Sequence, residues 1–378
     1  MQRLRTDRIL FITVILMVLF GTLMVYSASS VTAETAKGSS YYYAVRQLVW
    51  VALSIPLMLF FKKFHYRRLQ TPEVAFTAMA LIIVMLVVVY FADPAQHRWI
   101  RIKFIGLQPS EFAKPALVIF LAYFIALRSR ALNSRYTLLP AILAVGFLTF
   151  AVVLADLGTA IVLVLTAAVV FFVAGLEKRY IMVAALLGLL VGIGAVWQRP
   201  YRLRRVITFV DPKGTRMAKF DRHGWIAARM EKSATTHDTS YQQDQAKIAV
   251  GSGGPMGVGL MQSRQKLAYL PEAHTDTIYA IIGEEWGLFG TVGVLLGFVV
   301  ILWRGIRATV LVQDEFGRYL ALGITTLLVV QAFFNISVVL GIIPTKGFPL
   351  PMISFGGSSL LVTLASLGIL MNVSEQAG

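Results

Sequence analysis

Apolar residues fill this chain in long unbroken runs, not in the short periodic stripes of a soluble core. Runs long enough to cross about 30 Å of hydrocarbon fall at 9–28, 45–61, 72–91, 112–127, 137–155, 159–175, 180–197, 279–304, 319–342 and 359–373. They predict ten transmembrane helices, the fifth and sixth separated only by a short turn, Asp156-Leu-Gly-Thr159. The first run, Ile9 to Tyr26, is longer than a signal-peptide core and lacks a clear cleavage site, so it is expected to be retained. One long polar stretch, about 198–275, separates the seventh and eighth helices. The expected fold is an all-α polytopic membrane protein of about ten helices. Residues 1–378 form a single membrane domain with that one long extracytoplasmic loop.

Composition supports this reading. The chain is 57% apolar and only 14% charged, far from the globular norm. It has no cysteine, which excludes disulfides, thiolate metal sites and a cysteine nucleophile. Its five histidines show no zinc-binding spacing. The formal net charge of +16 does not call for nucleic acid, because basic residues flanking membrane spans follow from topology alone. Arg3, Arg5, Arg8, Lys62, Lys63, Arg67, Arg68, Arg128, Arg130, Arg135, Lys178, Arg179, Arg304, Arg307 and Arg318 all fall on one side of the predicted spans. That side is the cytoplasm, and an even helix count puts both termini there.

The opposite side carries the exceptions. Arg98, Arg101 and Lys103 sit in the short loop between helices three and four, against the local charge bias. They point to an anionic ligand at the outer face, such as a phosphate, with lipid-headgroup anchoring as the alternative. Trp99 between them has the placing of an interfacial belt residue. In Gln108-Pro-Ser-Glu-Phe-Ala-Lys114, Pro109 and Ser110 read as a helix start, which puts Glu111 and Lys114 on one helical face. They form either a salt bridge that lets both charges enter the bilayer or a phosphate site in which Glu111 holds Lys114. Asp156, a lone acid between two apolar spans, is a functional candidate by position; pairing with an external arginine explains it equally well.

Three further stretches carry candidate chemistry. Gly251-Ser-Gly-Gly-Pro-Met-Gly-Val-Gly259 lacks the Gly-Lys-Ser/Thr ending of a P-loop and is read as close backbone packing. Thr345 to Ser359 is too rich in Pro and Gly for a regular helix. Irregular backbone at membrane depth lines cavities, so this segment is a candidate cavity wall bearing Lys346 and Ser354. Finally, Tyr269-Leu-Pro-Glu-Ala-His-Thr-Asp276 runs into an apolar span, with Glu284 and Glu285 two turns deeper. Asp276 is either a helix cap or a base near the outer cations. Glu284 and Glu285 fit a proton pathway or a structural pair.

Taken in order, Met24-Val-Tyr-Ser-Ala-Ser29, Arg98-Trp-Ile, Gln108 to Lys114, Asp156-Leu-Gly-Thr-Ala160, Ile248 to Gly254, Tyr269 to Asp276 and Gly341 to Ser359 resemble the shape, elongation, division and sporulation (SEDS) family of peptidoglycan glycosyltransferases. The resemblance covers nearly the whole chain. It implies a ten-helix enzyme that polymerises lipid II outside the bacterial cytoplasmic membrane, with Asp276 matching the family's essential aspartate. Arg98, Trp99, Arg101, Glu111, Lys114, Asp156, Lys346 and Ser354 are the residues then expected at the substrate. The resemblance further implies a divalent cation, Mg2+ or Mn2+, for which the sequence offers no ligand cluster. It implies a class B penicillin-binding protein and other divisome membrane proteins as partners, with inversion at the donor carbon. Pro344-Thr-Lys-Gly347 resembles the cell-division branch more than the elongation branch. A lipid II flippase and a non-catalytic division scaffold are the rival readings. One departure is a basic insertion, Lys213 to Ser240, in which Phe220 to Glu231 has the pattern of an amphipathic surface helix.

Overall fold

The computed structural model describes residues 7–93, 98–102, 105–211, 221, 224–226, 228, 239–267 and 269–377. Its helices are α1 (Arg8–Lys37), α2 (Tyr42–Lys63), α3 (Pro72–Ala92), α4 (Pro109–Arg128), α5 (Arg135–Ala155), α6 (Leu157–Val173), α7 (Lys178–Gln198), α8 (Pro200–Val210), α9 (Thr239–Ser252), α10 (Ile278–Leu311), α11 (Glu315–Val339) and α12 (Gly357–Gln376). Among the described residues nine of these are long and apolar enough to cross a membrane. The remaining predicted span, the sixth, is α6, whose 17 residues reach the lower limit of about 17 for a crossing. The helix starts carry their own signals. Thr71 caps α3 ahead of Pro72, Asp314 caps α11 through Gly317 N at 2.8 Å, and Asp156 caps α6 through Gly158 N at 2.9 Å.

Small residues let the helices close. A Cβ on Gly368 would meet the Met58 carbonyl oxygen at 2.4 Å, and one on Gly357 would meet the Trp50 ring at 2.0 Å. The contacts Gly357–Trp50, Gly368–Met58 and Asn372–Lys62 advance along both helices together, so α2 and α12 run parallel. Two parallel spans are what even positions in the crossing order require. Close backbone approach of this kind is how helices associate where lipid is as apolar as leucine. The helices α4, α11 and α12 are the most enclosed, whereas α7 is exposed along nearly its whole length.

At one end, Asp7 accepts from Arg304 Nε at 2.9 Å and from Ser374 Oγ at 2.8 Å. Lys62 pairs with Glu375 at 3.1 Å. This is the end that the Lys/Arg bias assigns to the cytoplasm, and the first and last helices meet there.

The structure adds three features to the predicted ten spans. Ile100–Ile102 and Ile105–Leu107 form a small antiparallel hairpin. The long loop contains α8 and α9; a short helix and a polar one give little hydropathy signal. The insertion at 213–240 falls largely outside the described residues, as does most of its amphipathic stretch.

The third feature is a break inside α10. Gly287 has φ 61° and ψ −149°, which interrupts the helix. The glycine loop after α9 repairs the interruption. Val258 N and Gly259 N donate to the carbonyls of Glu284 and Glu285 at 2.9 and 3.0 Å, while Leu288 N donates to the Gly254 carbonyl at 2.9 Å. Backbone can come this close only without side chains: a Cβ on Gly253 would lie 1.9 Å from the Gly283 carbonyl oxygen. The loop read from sequence as close packing is therefore a hydrogen-bond partner for a broken span.

Candidate active site

At the end opposite the terminal cluster, the turn before α10 meets the irregular segment 341–356. Side chains from the bundle hold the two together. Asn335 Nδ2 donates to the Asp276 carbonyl at 2.8 Å and also to the Phe348 carbonyl. Ser354 Oγ accepts from Leu350 N at 2.7 Å and donates to the Thr275 carbonyl. Phe355 N donates to the His274 carbonyl at 2.9 Å. Ser354, expected at the substrate, is thus a buried brace between the two segments. The His274 ring packs on Tyr43 at 4.3 Å and on Phe355 at 5.7 Å, and burial lowers its pKa below the usual imidazole value.

The side chain of Asp276 differs from its well-tied backbone. Among the described residues its carboxylate receives no hydrogen bond and no ion pair; the contact from Asn335 goes to the carbonyl. It faces a cavity of about 100 Å³ that is also lined by Arg205, Gln242, Glu272, Lys346 and Gly347. Gly347 is there for space, since a Cβ would stand 2.3 Å from Asp276 Oδ2. Burial raises the pKa of this carboxyl to about 6, with Arg98 and Lys346 opposing the rise and Glu272 and Asp156 adding to it.

Asp156 has the opposite environment. It pairs with Lys346 at 3.1 Å and with Arg98 at 3.3 Å. It also accepts from Gly158 N at 2.9 Å, Thr159 Oγ1 at 3.1 Å and Gln108 Nε2 at 3.4 Å. Burial pushes its pKa up, but the Lys346 and Arg98 charges outweigh that and hold it below the ordinary aspartate value. The pairing weighed from sequence is present, with a lysine added. Asp156 therefore gathers two cations that the sequence separates by nearly 250 positions.

Glu111 and Lys114 form the predicted pair at 2.8 Å, both almost fully buried. Lys114 Nζ also donates to Gln331 Oε1 at 2.7 Å, and Gln331 Nε2 in turn donates to the Pro349 carbonyl at 2.9 Å. Of the two sequence readings, the geometry is that of the buried salt bridge. Lys114 is not among the residues lining the cavity, and it supports the cavity wall from behind. Trp99 packs over Gly106 of the hairpin, with the Arg98 guanidinium 5.9 Å from its ring centre. The backbone of Arg101 pairs with Gly106; its side chain, like all of Lys103, lies outside the described residues.

Glu284 and Glu285 are buried and saturated. Glu285 accepts from Ser27 Oγ at 2.7 Å, Lys266 Nζ at 2.9 Å and Ser263 N at 3.3 Å. Glu284 accepts from Ser263 Oγ and, at 2.9 Å, from Arg264 N. They tie the 263–266 turn and α1 to the broken helix.

The donor set does not fit a divalent cation. Among the described residues no three His, Cys, Asp or Glu side chains converge, and Asp156 is already matched by two cations. Arg205, Gln242 and Gln243 line the cavity but were not assigned to the site from sequence. Their only signal is membership of a polar loop, and a loop's fold is not periodic.

The fold and the site define a polytopic helical membrane protein with a charged cleft at the end opposite the Asp7–Glu375 cluster, built around an aspartate whose carboxylate has no partner among the described residues. The sequence profile of the cell cycle protein family of FtsW, RodA and SpoVE matches residues 7–378. The chain belongs to that family. It is 35% identical to a protein named probable peptidoglycan glycosyltransferase FtsW from Geobacter sulfurreducens, over 98% of this chain and 96% of that one. It is 36% identical to stage V sporulation protein E of Bacillus subtilis, over 98% and 97%. Among solved structures it superposes with a TM-score of 0.72 and 25% identity, covering 99% of both chains, on a chain from work on the coordination of polymerization and crosslinking by a peptidoglycan synthase complex. A second match, a mutant form of the rod shape determining protein RodA of Thermus thermophilus, has a TM-score of 0.67 and 24% identity over 98% of each chain, and supports the fold.

Proposed function

We propose that this protein polymerises lipid II into glycan strands on the outer face of the bacterial cytoplasmic membrane, during septal wall synthesis. The observation that carries the reading is the Asp276 carboxylate, left without donors in a cation-flanked cavity. A pKa of about 6 suits a general base working near neutrality, a role typically contributing about 10²–10⁴-fold.

Asp276 takes the proton from the acceptor's sugar hydroxyl as that oxygen attacks the donor's anomeric carbon. The bond from that carbon to the diphosphate oxygen breaks on the opposite face, and the configuration inverts. Negative charge develops on the departing lipid diphosphate. Lys346 and Arg98, held at the cleft by Asp156, stand where that charge must be met. The proton leaves Asp276 to water before the next cycle.

The relatives named FtsW support a septal location, and the peptidoglycan synthase complex supports a penicillin-binding protein that cross-links the product. Other divisome proteins complete the assembly. The flippase reading drew on Glu284 and Glu285 as proton carriers. With both carboxylates engaged by buried donors, it loses that support.

The test is reconstitution of the full chain with its transpeptidase on externally supplied lipid II. Asp276→Asn abolishes polymer, and undiminished polymer from that variant overturns the assignment. The fold survives the change. A carboxyl with a raised native pKa contributes stability that is fully present below its unfolded value near 4 and is lost as pH rises through about 6. Asp276→Asn therefore melts at or above the wild-type temperature at pH 7.

A further inference from the structure

The outer cleft holds cations in two different states. Arg98 and Lys346 share Asp156 at 3.3 and 3.1 Å. Arg205 lines the same cavity as Asp276, yet among the described residues no carboxylate lies within ion-pairing distance of it. Among the described residues its one hydrogen bond, from Nη1 to the Thr345 carbonyl, is long at 3.5 Å. Its guanidinium also stands 5.7 Å from the centre of the Tyr201 ring.

Nothing about α8 leaves this placement loose. One turn earlier, Arg202 points inward and donates to the Ala195 and Val153 carbonyls, both at 3.3 Å. That anchors the short helix to α7 and α5. Residues three apart share a helical face, so the anchor at Arg202 turns Arg205 toward the cleft. A partly buried cation without an anion is costly, and here the surrounding fold enforces it. The planar guanidinium offers paired donors that match phosphate oxygens.

We propose that Arg205 is a diphosphate-binding residue, which grips the phosphate oxygens of a lipid-linked diphosphate beside Asp276. Arg98 and Lys346 are each tied to Asp156, whereas among the described residues Arg205 has no carboxylate at ion-pairing distance and keeps its paired donors for a ligand. Arg205 thus deepens the glycosyl-transfer reading and rests on it for turnover. Diphosphate binding is a separate property and can be measured alone.

Undecaprenyl diphosphate is titrated into purified full-length protein, and initial polymerisation rates are measured with the partner present. Arg205→Gln is expected to weaken binding and lower kcat/KM by roughly ten- to hundred-fold, the range of a charge-assisted hydrogen bond. Its melting temperature should stay near wild type, because only one long contact is lost. Arg205→Lys keeps the charge without the fork and should recover part of the binding. Unchanged binding and kcat/KM in Arg205→Gln overturn the proposal. So does a fall in melting temperature, in both Arg205 variants, that accounts for their lost activity. Arg205-dependent binding by a wild type that makes no polymer would instead leave the proposal standing and refute the glycosyltransferase reading.

Discussion

Asp276 and the pair Glu284–Glu285 lie within ten residues of each other, at the entrance to the same helix, in opposite chemical surroundings. The two glutamates are wrapped in donors from α1 and the 263–266 turn: Ser27, Ser263, Arg264 N and Lys266. Asp276 has a firmly held backbone and a bare carboxylate. The contrast separates two uses of an acid in a membrane protein. A saturated carboxylate is a fastener, and its charge has been absorbed by the fold. A carboxylate denied donors, on a backbone that cannot move away, is available to a proton from outside. Asp156 is a third case, since it passes its charge on by collecting two cations that then face the cleft.

Three measurements would break or sharpen this comparison. The largest effect is expected for Glu285→Ala, which leaves Lys266 buried without its partner at 3% side-chain exposure. Loss of one member of a buried pair typically costs about 3–5 kcal/mol. The melting temperature in detergent should fall steeply, with activity lost only as folded protein is lost. A stable but inactive Glu285→Ala would make Glu285 part of the chemistry and erase the distinction. Next comes Gly257→Ala. Its φ of +81° and a Cβ placed 2.2 Å from the Glu285 carbonyl oxygen predict a loss of about 2 kcal/mol, read by the same thermal assay. An unshifted midpoint would mean that the loop does not hold the break in α10. The smallest effect is on pH. Asp276 is a base only when ionised, so with a pKa of about 6 polymerisation should fall by about tenfold between its neutral plateau and pH 5. A plateau that continues to pH 5 would mean that Asp276 is not the titrating base.

The ten spans were legible because a bilayer demands length and apolarity, and both are written along the chain. The α10 break was not, since Gly287 looks like any other glycine in an apolar run, and only the incoming Gly253–Gly259 backbone explains it. The site was partly legible. Asp276 stood out by its place before an apolar span and by its motif. The partnership of Asp156 with Lys346 and Arg98 joins three distant stretches, and no spacing rule reaches across folds. Lys114 misleads for the same reason: a lysine near an outer helix end looks available until Gln331, from a helix 200 residues on, is seen to hold it. Arg205 was hidden in a basic loop, where every arginine looks alike until its neighbours are known.

The parallel packing of α2 on α12 also has a meaning in time. As the chain is made, α2 is inserted early, and the groove around Trp50 and Met58 that receives Gly357 and Gly368 stays open to lipid while the helices between are laid down. The lattice of Asp7, Lys62, Arg304, Ser374 and Glu375 cannot close before α12 arrives. The segment at 341–356 that braces Asp276 leads directly into that helix. With α12 in place, the groove on α2 and the charged cluster at the far end of the bundle close together.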